Sequence, residues 1–238
     1  MENACELQMN ETQLSELLPG RSHIFIQALD VSSGLVVAEK YCGPFNVSPL
    51  EEILGCKPGE LFSNNVVYLE EGDGEKIGSL LGLDSDVLLE LDPNKHEDIS
   101  LVVQAWSPGN QLPYRVHTNR ELILMLENRK PLSVFVGRIP ADTSFTEIPE
   151  HLFDPYVESG VFSKQELVEE FPQPVRGIKG HRIVLYANSG EEWRINAYSI
   201  VRHVGNKIGW SEPLIRLEGS LLGYAEWQND AFILGMKK

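Results

Sequence analysis

The sequence is short of cysteine, of basic residues in its first half and of long apolar runs. Its three cysteines, Cys5, Cys42 and Cys56, leave an odd count and form no Cys-x-x-Cys pair. A disulfide framework needs paired cysteines and a zinc site needs close spacing, so reduced structural thiols are expected. Nowhere do about 18 apolar residues run together, the length that a membrane-spanning helix requires. The opening stretch, MENACELQMNETQLSELL, is acidic and lacks the basic start and apolar centre of a secretory leader. A cytoplasmic protein is the expectation.

Catalytic signatures are missing as well. The sequence holds no GxSxG elbow, no GxxxxGK[ST] phosphate loop, no HExxH and no EF-hand loop. Triads assembled from distant residues leave no such trace and are untouched by this search. The nearest miss is Gly72-Asp-Gly-Glu-Lys-Ile-Gly78, where Ile77 stands at the position a dinucleotide fingerprint gives to glycine. Glu70, Glu71, Asp73 and Glu75 crowd that turn and oppose a pyrophosphate, so it reads as a Gly-rich turn. No cofactor is expected.

The net charge of −15 is unevenly placed: residues 1–100 carry 19 Asp and Glu against 5 Lys and Arg, residues 101–238 carry 16 against 15. Phosphate neutralisation and docking on an anionic membrane both need clustered cations, so neither nucleic acid nor membrane is an expected partner. Between Glu70 and Asp98, 10 carboxylates face only Lys76 and Lys95. Glu70, Glu71, Asp73, Glu75, Asp84 and Asp86 offer oxygen ligands of the kind Ca²⁺ or Mg²⁺ takes, but their spacing fits no known loop. A solvated face is the plain reading. The density exceeds what solubility needs, however, and complementary charge chiefly sets partner choice and on-rate. These six residues are therefore the candidate contacts for a basic protein.

Six histidines are scattered along the chain, and each reads first as structural. His151 has acidic neighbours in Glu150 and Asp154. On a helix, His151 and Asp154 lie three apart and share a face, which makes them the candidate acid–base pair of a hydrolase.

The pattern of elements mixes strands and helices without a regular βαβ beat. That predicts an α+β protein with mixed or antiparallel sheets and short flanking helices. Two closely packed subdomains are expected, an acidic one over 1–106 and a nearly neutral one over 114–238. Ser107-Pro-Gly-Asn-Gln-Leu-Pro113 is the linker between them.

In the first, a capping box at Asn10–Gln13 opens a short helix through Leu18. A hairpin follows, with strands at 23–30 and 35–41. Ser48-Pro49-Leu50-Glu51 starts a helix that ends at Gly55. Strands are predicted at 65–70 and 99–106, a helix at 75–81, and a strand or helical turn at 86–91. In the second, Thr118-Asn-Arg-Glu121 reads as a capping box, followed by a helix to about Glu127 and a strand at 132–136. Helices at 150–157 and 164–170 come next, the latter capped by Ser163.

The centre is a predicted hairpin over 180–202, with Trp193, Ile195, Ala197 and Ser199 alternating along its second arm. Its likeness to the hairpin at 23–41 raises the idea of a duplication, although shared β propensity accounts for it equally. A short strand at 214–217 precedes a terminal helix. There Leu221, Tyr224, Trp227, Ala231 and Leu234 recur at helical spacing, as an inner face would. The aromatics Trp210, Tyr224, Trp227 and Phe232 could instead line a pocket or anchor a partner.

The leading functional expectation is a non-enzymatic protein-binding module of the inhibitor or immunity type, working through its acidic surface. The alternatives are a hydrolase built on His151 and, last, a mimic of DNA.

Overall fold

The computed structural model describes residues 22–45, 48–57, 66–69, 73–81, 99–106, 117–141 and 146–236. The chain divides into two compact units, Met1–Leu29 with Ala38–Gln111, and Asp30–Val37 with Leu112–Lys238. The tip of the first hairpin thus goes with the second unit, a division that a linear reading with one boundary does not contain. The class is α+β.

Strands β1 (Ser22–Asp30), β2 (Val36–Phe45), β3 (Val66–Tyr68) and β4 (Ile99–Trp106) form a sheet of order β2-β1-β4-β3. β3 and β4 are antiparallel, with Val67 opposite Val103. Helix α1 (Ser48–Ile53) starts where Ser48 and Pro49 place it and buries Leu50. Helix α2 runs from Asp73 to Leu81 and buries Ile77. The expected helix at 10–18, the element at 86–91 and the linker at 107–113 lie outside the described residues.

The second unit holds α3 (Glu121–Leu126), β5 (Leu132–Ile139), α4 (Glu150–Glu158), β6 (Phe162–Val175) and β7 (Ile178–Asn188). Helices α5 (Trp193–Ile208), α6 (Glu212–Leu221) and α7 (Glu226–Met236) complete it. Its sheet is antiparallel with β7 central, in the order β5-β7-β6. Successive residues of a strand point to opposite faces. Ile183, Leu185 and Ala187 accordingly meet Ile195, Tyr198 and Val201 of α5 and Leu221 of α6. Val184 and Tyr186 meet Leu122 and Met125 of α3, Phe153 of α4, Phe162 and Leu35. Both faces are covered by helices, which is why Ile183–Ala187 is an unbroken apolar run with no solvent side.

Four sequence expectations are corrected here. The hairpin over 180–202 does not form: its first arm is β7, but its second is helix α5. The residues that α5 buries are Ile195, Tyr198, Val201 and Gly205, a helical rather than an alternating period. Fully burying an aliphatic side chain is worth about 1.5–3 kcal/mol, and only the helix buries this set together. Trp193, which the alternation placed inside, is 56% exposed. The likeness to the β1–β2 hairpin is therefore one of sequence alone.

The helix expected at 164–170 is part of β6. Pairing with β7 overrides the local capping pattern at Ser163, and this long-range partner is invisible in a short window. The true hairpin turns at Arg176-Gly177, both with positive φ (52° and 85°), the geometry of a two-residue primed turn.

The strand expected at 214–217 is helix α6, entered through Ser211 with Pro213 in its first turn. Before α3, the Thr118–Glu121 capping box does not form either. Arg120 takes the cap position and makes no side-chain capping bond. That helix is closed at its other end, where Asn128 at φ 58° lets Arg129 N–H reach the Leu124 carbonyl at 2.8 Å.

Candidate functional site

The turn between β1 and β2 is built by Asp30. Its backbone N–H donates to Leu35 O at 2.9 Å, and Gly34 N–H donates to Asp30 O at 2.7 Å. Its carboxylate Oδ2 accepts from Ser33 N–H at 2.7 Å and from the hydroxyls of Ser32 (2.8 Å) and Ser33. The other oxygen, Oδ1, lies 3.1 Å from Nε2 of His151 on α4. Burial alone would raise the Asp30 carboxyl, but the bonds from Ser33, His151 and Ser32 outweigh it and hold it below its ordinary value.

Ser32 Oγ also stands 3.4 Å from the same Nε2. A serine, a histidine and an aspartate are thus assembled, but not as a relay. A relay needs the carboxylate on one ring nitrogen and the hydroxyl on the other. Here the ionised Asp30 only accepts, so Nε2 must donate to it and cannot take a proton from Ser32. The Ser32 hydroxyl proton is itself directed to Asp30. The arrangement clasps a turn to a helix.

His151 and Asp154, the expected acid–base pair, take different partners. Asp154 accepts from Lys164 Nζ on β6 at 2.8 and 2.9 Å and from the Tyr186 hydroxyl on β7 at 3.1 Å. Glu150, one turn earlier, receives both Lys164 Nζ at 2.6 Å and a two-pronged contact from Arg182, at 2.6 and 3.0 Å. Arg182 reaches on to Glu166 at 2.7 Å. Three carboxylates and two cations therefore close on one another over the α4 side of the sheet. Burial first, and then the Asp154 carboxylate, hold the Tyr186 hydroxyl well above the usual tyrosine range. A proton so held serves a hydrogen bond and not a transfer near neutral pH.

Hydrogen bonds from Arg182 pull the Glu150 carboxyl down to about 2, with Lys164 adding to them against the opposing effect of burial. A depressed carboxyl contributes stability that is present above its unfolded value, near 4.5, and is lost as pH falls toward about 2. The thermal midpoint of Glu150→Gln is therefore expected to fall less steeply than that of the parent between those values. At neutral pH the variant should be less stable by about 1 kcal/mol, a figure kept small by solvent screening. Identical pH profiles for both proteins would contradict the role given to Glu150.

Among the acidic candidates, Glu70, Glu71, Asp84 and Asp86 lie outside the described residues. Asp73 opens α2 and lies 3.4 Å from Lys76 Nζ one turn on, while Glu75 holds the third position of the same helix. Among the described residues, no three His, Cys, Asp or Glu side chains are grouped to hold a metal ion, and no helix is long and apolar enough to cross a membrane. Burial pushes the Cys42 thiol up to about 11, away from nucleophilic character.

The terminal helix reverses its expected orientation. Trp227 and Leu234 face outward, at 39% and 63% exposure, while Gln228, Asn229 and Ile233 are the buried set. Gln228 is buried because its Oε1 accepts Ala225 N–H at 2.8 Å and so caps the helix start. Asn229 packs directly on Gly219 of α6, where any side chain would collide with it. Helical spacing locates a stripe without saying which way it points, and these two polar anchors decide the direction.

Comparison with models of known protein families, with curated proteins and with solved structures finds no match to this chain.

Proposed function

We propose that this chain is a non-enzymatic protein-binding module that offers the acidic segment Glu70–Asp98 to a basic protein, in the manner of an inhibitor or immunity protein. The observation that carries the proposal is the excess of 10 carboxylates over two lysines in that segment, within a chain whose residues 101–238 are nearly neutral. The described charge clusters support it from the other side. Asp30 and His151 clasp a turn, and Glu150, Asp154, Lys164 and Arg182 satisfy one another, so neither group is arranged to act on a substrate. An acidic surface of this density would speed encounter with a cationic partner and lose affinity as salt rises.

The test is capture on the immobilised protein beside the charge reversal Glu70→Lys, Glu71→Lys, Asp73→Lys, Glu75→Lys. A basic protein held by the parent and released by the reversal supports the proposal. Equal retention by both proteins would sink it.

A further inference from the structure

We infer that Glu121 is a proton-sensitive latch of the second unit, closed while its carboxyl is neutral and released when it ionises. The latch lies where α3 begins. The turn at 117–120 leads into that helix, with Arg120 N–H donating to His117 O at 3.2 Å and Val36 N–H donating to Asn119 O at 2.7 Å. His117 and Arg120 are buried, and so is Lys130 beyond the other end of the helix. His117 stacks on Tyr224, which lies between α6 and α7, at 4.4 Å between ring centroids. Lys130 Nζ stands 5.1 Å from the centre of the same ring and donates to Leu222 O at 3.3 Å. The turn, the end of α3 and the α6–α7 connection are thus gathered around one aromatic ring.

Within this junction, Oε2 of Glu121 is buried and has no hydrogen-bond partner among the described residues. Other carboxylates of the unit are treated differently. Glu150 meets Lys164 and Arg182 directly, and Glu169 receives Arg202 at 2.7 and 3.0 Å. A charged oxygen buried without a donor is costly, and a carboxyl so placed keeps its proton instead. Burial raises the Glu121 carboxyl above its ordinary value of 4.5, outweighing the attraction of Lys130, of the Glu121 and Asn119 backbone N–H groups and of Arg120. With His117 and Tyr224 beside Lys130, these are the titratable and charged groups of the elements around it. Once ionised, Oε2 needs a donor, and lifting the turn away from Tyr224 brings it to water. A raised carboxyl contributes stability that is complete below 4.5 and is lost as pH rises through the folded value. The sign is opposite to that at Glu150.

Carbon-13 titration of the Glu121 carboxyl in the full chain, assigned through bonds from its own backbone amide, tests the latch without a variant. Its midpoint should lie above 4.5, and a midpoint at or below that value overturns the inference. Glu121→Gln, which keeps the shape of the neutral acid, supplies the second readout. Its thermal midpoint should gain on the parent's as pH rises from 4.5, by about 3–5 °C for each pH unit by which the carboxyl is raised. Amide exchange over 117–126, corrected for its intrinsic rate, should quicken in the parent as the carboxyl ionises and stay slow in Glu121→Gln. A raised midpoint with parallel exchange in the two proteins overturns the release of the turn, and parallel melting profiles overturn the link to stability. None of these measurements touches Glu70–Asp98, so the outcome is independent of the proposed acidic docking surface.

Discussion

Phe153→Ala is expected to lower the unfolding free energy by about 3–5 kcal/mol, the range for emptying a fully buried aromatic site. Phe153 has no exposed surface, and its ring is the hub of the core between α4 and the sheet. The ring stacks on Tyr186 at 4.5 Å between centroids, meets Phe135 edge-on at 5.1 Å and lies 5.9 Å from Phe162. These neighbours come from three strands, so they cannot all collapse into the space left behind. Urea unfolding should show a lower midpoint with an unchanged slope. Phe232→Ala, at a side chain 37% exposed, should cost about 1 kcal/mol or less. A loss at Phe153 no larger than the one at Phe232 would mean that the aromatic hub does not hold this unit together.

The second large effect is expected at Gly180, where alanine should cost about 2–3 kcal/mol by overpacking. A Cβ at this position runs into the carbonyl oxygen of Glu169, and its next contacts, at 3.1 Å, are Glu169 C and Glu170 Cα. All three are backbone atoms of β6, so no side chain can swing aside. The pairing of β6 with β7 becomes irregular immediately after Glu170, which faces Gly180. The close approach of the two strands is thus part of how the hairpin bends. Gly205→Ala provides the contrast, because its Cβ would press on the Trp210 ring at 2.6 Å, a side chain next to a loop. A cost at Gly180 below that at Gly205 would contradict this account of the bend.

What the sequence made legible follows from the range over which each signal acts. The β1–β2 hairpin, α1, α2, β4, β5 and α4 were all anticipated, and each carries its own punctuation, such as Ser48-Pro49 or the apolar run at Ile99–Trp106. The failures cluster where a distant partner decides. β6 reads as helical in a short window because its pairing with β7 lies outside that window, and α5 reads as extended because seven of its residues alternate within a longer helical period. In α7 the period was correct and the direction was not, since Gln228 and Asn229 are drawn inward by Ala225 and Gly219. The same limit applies to the candidate site. Asp30-Val-Ser-Ser33 can be read locally as a side-chain-stapled turn, but its pairing with His151 spans 121 residues and has no local trace. His151 and Asp154 do lie on one helix, as their spacing implies, and still face different partners.

The salt dependence of the captured complex tests the proposed acidic docking surface most directly. Purified partner and chain would be titrated calorimetrically at a series of ionic strengths, for the parent and for the four-carboxylate reversal. Docking through Glu70–Asp98 predicts a parent affinity that falls steeply with added salt, and a reversal that is weak at every salt concentration. An affinity that is flat in salt, or equal in the two proteins, would contradict it.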